Sequence, residues 1–290
     1  MQAKDSRYRF LLENSNIRGV VVYLNDTWRE VLGRADYPVG VREILGHAMV
    51  AMPLLASTVK FGGRMTLQAK GSGPVTLLVV QATAEGTQRG MAHWSGDAPM
   101  TPLAAVLGDA TLSIQIETGK RGEIYQGVVD AHGQQLQDAL AHYFQNSEQL
   151  QTRLWLMCDG EQAAGILVQA LPDADPASDD WDRVVHLVDT VNASELFDTA
   201  PETLLRRLFH EDQARLFDAE PLRFACGCSR ERTAALIQGL GRAEADSILA
   251  EQGSIEITCE FCNSRNVFDE VDVEAIFRDS GGAQGSTTLH

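Results

Sequence analysis

The chain has 290 residues, 44% of them apolar and 22% charged, enough for a sizeable core in one large domain or two to three small ones. With 24 basic against 40 acidic residues the net charge is −16, and a chain this acidic is repelled by phosphate. Nucleic acid and anionic membrane surfaces are therefore disfavoured as partners, and no basic patch is visible along the sequence. Met1 to Asn14 lacks the basic region and apolar run of a targeting signal. The most apolar stretch, Ala48 to Val59, is broken by Pro53 and is too short to span a bilayer. A soluble cytoplasmic protein is the expectation. The 5 cysteines are sparse and odd in number, and in a reducing compartment such cysteines serve as metal ligands or redox centres more often than in structural disulfides.

Residues 1–171 read as an α+β core domain of mixed helices and antiparallel sheet. Gly19 to Leu24 is a β-branched run suited to a strand. Asp26 or Thr27 is placed to cap a short helix ending at Leu32. Val41, Ile44, Leu45, Ala48, Met49 and Met52 recur at helical spacing, which predicts a long buried helix over 40–60, kinked at Pro53. Met49, Met52, Leu54 and Leu55 are expected in the core. Strands follow at Arg64 to Ala69 and Val75 to Gln81, separated by the turn residues Gly71 to Pro74. A hairpin is predicted between Ala110–Thr118 and Glu123–Asp130, turning at Gly119 to Gly122. Leu136 to Phe144 reads as a helix. Arg153–Cys158 and Ala164–Ala170 flank Asp159-Gly160 as a further hairpin, with Cys158 a buried, inert thiol.

The composition shifts at Pro172. Residues 172–220 carry 13 acidic and 4 basic side chains, with Asp173, Asp175, Asp179, Asp180 and Asp182 crowded around Pro176. Trp181, Val184, Val185, Leu187, Val188 and Val191 form one apolar helical face, and Leu204, Leu205, Leu208 and Phe209 another. The like charges repel, so residues 172–225 read as an acidic helical linker of low intrinsic stability that needs a neighbour to dock on. On that argument, neutralising Asp179 or Asp189 stabilises it. A solvated helical connector is the plainer alternative. His210 suits a surface or capping role, and Arg206 and Arg207 a solvated face. The tail 279–290 is rich in Gly, Ser and Thr and is expected to be mobile.

Four cysteines fall in two tight pairs, Cys226-Gly227-Cys228 and Cys259-Glu260-Phe261-Cys262. Two such pairs brought together offer four thiolates to a tetrahedral Zn²⁺, with no position left for a catalytic water. The site is then structural or redox-active, within a module spanning 226–278. A disulfide across Cys-x-Cys closes a small, strained ring, and strained disulfides are readily reduced, which suits a reversible switch. Arg223, Arg230, Arg232 and Arg265 lie near these cysteines in sequence, either stabilising thiolates or serving as ordinary surface charges.

The run from Phe224 through Cys226, Cys228 and Arg232, then Ser247 to Glu251, then Cys259 to Cys262, resembles the redox-regulated heat shock protein 33 family (33 kDa chaperonin). The similarity covers nearly the whole chain. Arg18-Gly19, Lys60-Phe61, Gly71 to Pro74, Tyr125 to Val129, Tyr143-Phe144, Ser147 to Gln149 and Thr152-Arg153 occur in the family's order. Gln151 stands where the family carries proline.

The resemblance implies a holdase chaperone without an ATP cycle, not an enzyme. One Zn²⁺ per chain is held by Cys226, Cys228, Cys259 and Cys262 in the reduced, inactive form. Oxidation pairs Cys226 with Cys228 and Cys259 with Cys262, releases zinc, unfolds the module and loosens the linker. Exposed apolar surface then binds unfolded or partly folded client proteins, and a homodimer forms on activation. Two other classes compete: a constitutive zinc-ribbon binding module, and a thiol–disulfide oxidoreductase using Cys259 and Cys262. The acidic charge weighs against nucleic acid for the first. The second lacks a thioredoxin-like βαβ context.

Overall fold

The alternating and continuous apolar runs of the first 171 residues supply nine of the twelve strands in two six-stranded sheets. A computed structural model describes residues 5–118, 123–131, 133–172 and 178–281. The chain divides into two compact units, Met1–Ala225 and Cys226–His290.

In the first unit, sheet A takes the order β10-β1-β2-β9-β8, with β11 also pairing to β1. Its strands are β1 (Ser6–Leu12), β2 (Ile17–Leu24), β8 (Thr152–Cys158), β9 (Ala163–Ala170), β10 (Ala214–Leu216) and β11 (Glu220–Pro221), all antiparallel. Sheet B runs β12-β5-β4-β3-β6-β7. It comprises β3 (Arg64–Gly71), β4 (Val75–Thr83), β5 (Thr87–Trp94), β6 (Ala110–Glu117), β7 (Ile124–Val129) and β12 (Arg223–Phe224), which joins β5 in parallel. The pairing of β6 with β7 is the predicted hairpin, although its turn, 119–122, lies outside the described residues. The β8–β9 hairpin also forms as read.

Helix α2 (Val39–Ala56) packs against strands of both sheets. Val41, Leu45, Met49, Met52, Leu54 and Leu55 are buried with Val20, Val22 and Leu24 of sheet A and Leu67, Leu78 and Val80 of sheet B. The helix ends four residues before the expected boundary and passes through Pro53. By length and a mean hydropathy of 1.3 it is able to cross a membrane, contrary to the short apolar run read from sequence, but 83% of it is buried within the fold. Its apolarity thus serves the core.

Helix α1 (Asp26–Leu32) is not capped by Asp26 or Thr27. The Asp5 carboxylate, from the residue before β1, accepts from the backbone N–H of Asn25 and Thr27 and from the Thr27 hydroxyl. A carboxylate at a helix N-terminus satisfies orphan donors and faces the positive end of the dipole. Helices α3 (Leu103–Leu107) and α4 (Leu136–Ser147) complete the body of this unit.

The face of sheet A turned away from α2 is covered as well. Helices α5 (Asp180–Asp189), α6 (Ala193–Asp198) and α7 (Pro201–Leu208) bury Val184, Val188, Leu196, Phe197, Leu204, Leu205 and Leu208 against Phe10, Leu12, Ile17, Val21, Tyr23, Ile166 and Val168. Sheet A is therefore apolar on both faces, which is why residues 19–24 of β2 and 163–168 of β9 read as unbroken apolar runs. Gly19 is required here, because a Cβ would lie 2.0 Å from the Phe10 ring. The linker is not purely helical: after α7 it contributes β10 and β11 to sheet A and β12 to sheet B. Asp173, Asp175 and Pro176 lie outside the described residues.

The second unit holds α8 (Arg230–Leu240), α9 (Arg242–Gln252), the antiparallel hairpin β13 (Ile255–Thr258) with β14 (Arg265–Phe268), and α10 (Glu270–Gly281). Its fully buried apolar residues among those described are Ile237, Ala245, Ile255, Phe268 and Val273, a small core for such a unit. Of the expected mobile tail, 279–281 belong to α10, and 282–290 lie outside the described residues.

Candidate metal centre

Cys226 and Cys228 sit in the loop leading into α8. That helix begins where the Ser229 hydroxyl accepts from the Arg232 backbone N–H at 3.3 Å, a common N-cap. Cys259 and Cys262 occupy the turn between β13 and β14. The turn is closed by Cys259 N–H donating to Ser264 O at 2.9 Å and Asn263 N–H donating to Cys259 O at 2.8 Å. Asn263 adopts φ +56°, a left-handed conformation that asparagine tolerates.

Arg230 joins the two cysteine-bearing segments. It donates to Val267 O at 2.9 Å and to Asp272 at 2.7 Å, and its guanidinium stacks 4.3 Å from the Phe268 ring centroid. Asn266 adds a 3.3 Å bond to the Thr233 hydroxyl. Through these contacts α8 and the hairpin bring all four predicted residues together. The Sγ atoms of Cys226, Cys228, Cys259 and Cys262 all lie within 4.8 Å of one another. The shortest separations run between the pairs, 3.6 Å for Cys226–Cys259 and 3.1 Å for Cys228–Cys262.

A tetrahedron with metal–sulfur bonds of about 2.3 Å spaces its sulfurs by about 3.8 Å, so the donor set fits Zn²⁺ by type, number and spacing. The electrostatics agree. The neighbouring Cys262 thiol pushes the Cys228 thiol up from its ordinary pKa, and burial raises Cys262. Four crowded sulfurs resist collecting negative charge, and a bound cation reverses that preference.

The arginines singled out in the sequence are occupied elsewhere. Arg230 pairs with Asp272, Arg232 donates to Gly227 O, and Arg265 pairs with Glu256. Arg223 lies in β12 of the first unit. These pairings and their exposure favour ordinary surface charges over thiolate stabilisation. The Cys259–Cys262 pair sits in a hairpin turn and not at the strand-to-helix junction of a thioredoxin-like motif. His210 lies exposed just past α7, 3.8 Å from Glu211.

Cys158 shows what the sequence missed. It is half-buried at the end of β8, with burial and the neighbouring Glu43 pushing its thiol well above the ordinary range. That agrees with low thiol reactivity. Its neighbours Glu43 and His47 come from α2, and nothing in the local sequence around Cys158 pointed to them.

The comparisons with known proteins extend over the whole molecule. The Hsp33 protein family model matches residues 5–269. The 33 kDa chaperonin of Nitrosococcus oceani is 44% identical over 290 residues, covering 100% of both chains. That of Methylobacillus flagellatus is 41% identical, again with 100% of both chains covered. The crystal structure of the heat shock protein 33 homolog from Thermotoga maritima superposes with a TM-score of 0.81 at 22% identity, covering 96% of this chain and 99% of that one. This chain belongs to the Hsp33 family.

Proposed function

We propose that this protein is a redox-gated holdase chaperone of the cytoplasm, acting without ATP or catalysis. Reduced Cys226, Cys228, Cys259 and Cys262 hold one Zn²⁺, which supplies the folding free energy that the small core of the second unit lacks. The observation that carries this reading is the four-thiol cluster in a unit whose described residues bury so few apolar side chains. A core of that size needs a staple.

Oxidation converts four thiolates into two disulfides, Cys226–Cys228 and Cys259–Cys262. With peroxide as oxidant, two molecules take up four electrons and four protons and leave as four waters. The paired sulfurs are no longer thiolate ligands, the cation is released, and the unit loses its staple. The chain just before Cys226 is held to the first unit by two-residue strands, β11 on β1 and β12 on β5. Such short ladders yield easily once the following unit unfolds. Helices α5 to α7 then leave sheet A, uncovering the apolar face around Phe10, Val21, Tyr23 and Ile166. A newly exposed apolar surface this large is a binding site for unfolding proteins or for a second copy of the chain. The acidic outer faces of the linker helices keep the complex soluble and disfavour nucleic acid and anionic membranes as partners.

The deciding experiment measures zinc content and suppression of client aggregation together, before and after peroxide at elevated temperature. One zinc per reduced chain, lost as aggregation becomes suppressed, is the expected result. Zinc retained under oxidant with no change in client aggregation rejects the switch.

A further inference from the structure

Helix α2 places Glu43 and His47 one turn apart on the same face, the spacing at which side chains meet. The edge strand β8 ends beside them at Cys158. The approach is close because α2 carries glycine at the crossing: a Cβ on Gly46 would lie 2.5 Å from Cys158 Sγ. His47 is 3% exposed. Its Nε2 lies 3.1 Å from Glu43 Oε1, yet it makes no well-formed hydrogen bond among the described residues. Cys158 Sγ lies 3.7 Å from Glu43 Oε2. One nitrogen, one carboxylate and one sulfur thus converge, with ligand atoms all within 4.8 Å of one another.

The 3.1 and 3.7 Å separations are close to those of a coordination sphere. Zinc bonds of about 2.0–2.3 Å to N, O and S put tetrahedral donors about 3.3–3.8 Å apart. The three residues also line a cavity of about 340 Å³, shared with Gln137, Trp155 and Ala193. The cavity leaves room on the open side for a fourth ligand, as in zinc sites with three protein donors and a water. The mixed N, O and S set suits a borderline divalent cation and disfavours Mg²⁺ and Ca²⁺, which take oxygen ligands.

We propose that Glu43, His47 and Cys158 form a second cation site, built on residues other than the four clustered cysteines, that takes a borderline divalent ion such as Zn²⁺. On binding, the Cys158 thiol gives its proton to solvent and its sulfur becomes the third protein ligand. The bound ion ties α2 to the edge of sheet A, beside the first residue of α6.

The test uses full-length, reduced protein, dialysed against Co²⁺ after its first equivalent of zinc is bound. The expected result is one further metal per chain, with the charge-transfer absorption of a single cobalt–thiolate bond. Cys158→Ala should abolish that band and the extra equivalent. Glu43→Gln should weaken cobalt binding by about tenfold or more. Both variants should keep the first zinc. No second equivalent, or a second equivalent that persists in Cys158→Ala, overturns the proposal. Absence of the first zinc would instead count against the four-cysteine centre, while the Cys158-dependent cobalt increment still decides this site.

Discussion

Trp155 Nε1 donates a 2.8 Å hydrogen bond to Asp189 Oδ1, joining the edge strand of sheet A to helix α5. Asp189 is therefore not simply one more repelling charge on an acidic linker. Asp179, by contrast, is the exposed N-cap of α5 and makes no side-chain capping bond. The sequence argument treats the two alike, and the structure separates them. Asp189→Ala should weaken docking of α5 by about 1–2 kcal/mol, because it leaves the indole N–H unpaired. Asp179→Asn should stay within about 0.5 kcal/mol, as exposed substitutions usually do. Amide exchange over 180–189 and the rate of peroxide activation check this. Both should rise for Asp189→Ala and stay unchanged for Asp179→Asn.

Arg183 makes a second tie. It donates to both carboxylate oxygens of Asp212 at 2.9 and 2.8 Å, and the Asp212 side chain is only 4% exposed. Removing the arginine strands a buried carboxylate, which costs more than the ion pair itself contributes. Because Arg183 is 34% exposed, the loss for Arg183→Met should be about 2 kcal/mol, below the 3–5 of a fully buried pair. Adding Asp212→Asn should recover part of it. A thermal-denaturation cycle of the two single variants and the double variant measures the coupling; simple additivity would remove the pair as a determinant of docking.

How much of this was legible in the sequence depends on the range of the interactions involved. The four cysteines announce themselves because both pairs are local, and β8–β9 and β6–β7 because hairpins are local. The apolar stripes of α5 and α7 are equally visible, but not the surface that they cover. The strands β1 and β5 are the main omissions; β5 follows β4 across a short turn, so locality alone does not make a strand legible, and β1 is the harder case. It pairs with β2 nearby but also with β10 and β11, some 200 residues on, and no periodicity records such a pairing. The cap of α1 comes from Asp5, twenty residues before the Asn25 N–H that it accepts from. Glu43 and His47 show the helical spacing, yet Cys158 stands 115 residues from Glu43, so only the packing of α2 on sheet A makes them a cluster.

Chelation of metal under reducing conditions should unfold the second unit only. Zinc supplies about 10–16 kcal/mol to small zinc peptides, whereas the second unit buries only a few apolar side chains among its described residues. Amide protection in α8 and β13–β14 should collapse on chelation. The α2 core, with its much larger apolar cluster, should keep its protection. Cys226→Ser or Cys259→Ser should weaken zinc binding and blunt the peroxide response without exogenous chelator. Full zinc content in both variants would reject the four-thiolate assignment.

Leu204 offers a test of whether the covered face of sheet A is the client surface. It is fully buried in α7 among residues of that face, close to the contact where Tyr23 donates to Thr199 O at 3.1 Å. Leu204→Ala should cost about 2–5 kcal/mol, as buried leucine truncations do, and all of it falls on the docking of the linker. Leu67→Ala is the matched control: Leu67 is equally buried, but in the cluster around α2. Both variants should lower thermal stability. Only Leu204→Ala should suppress client aggregation while still reduced and zinc-loaded, because it uncovers the outer face of sheet A without disturbing the cysteines. Equal oxidant-free activity in the two variants would mean that general destabilisation, and not release of the linker, exposes the binding surface.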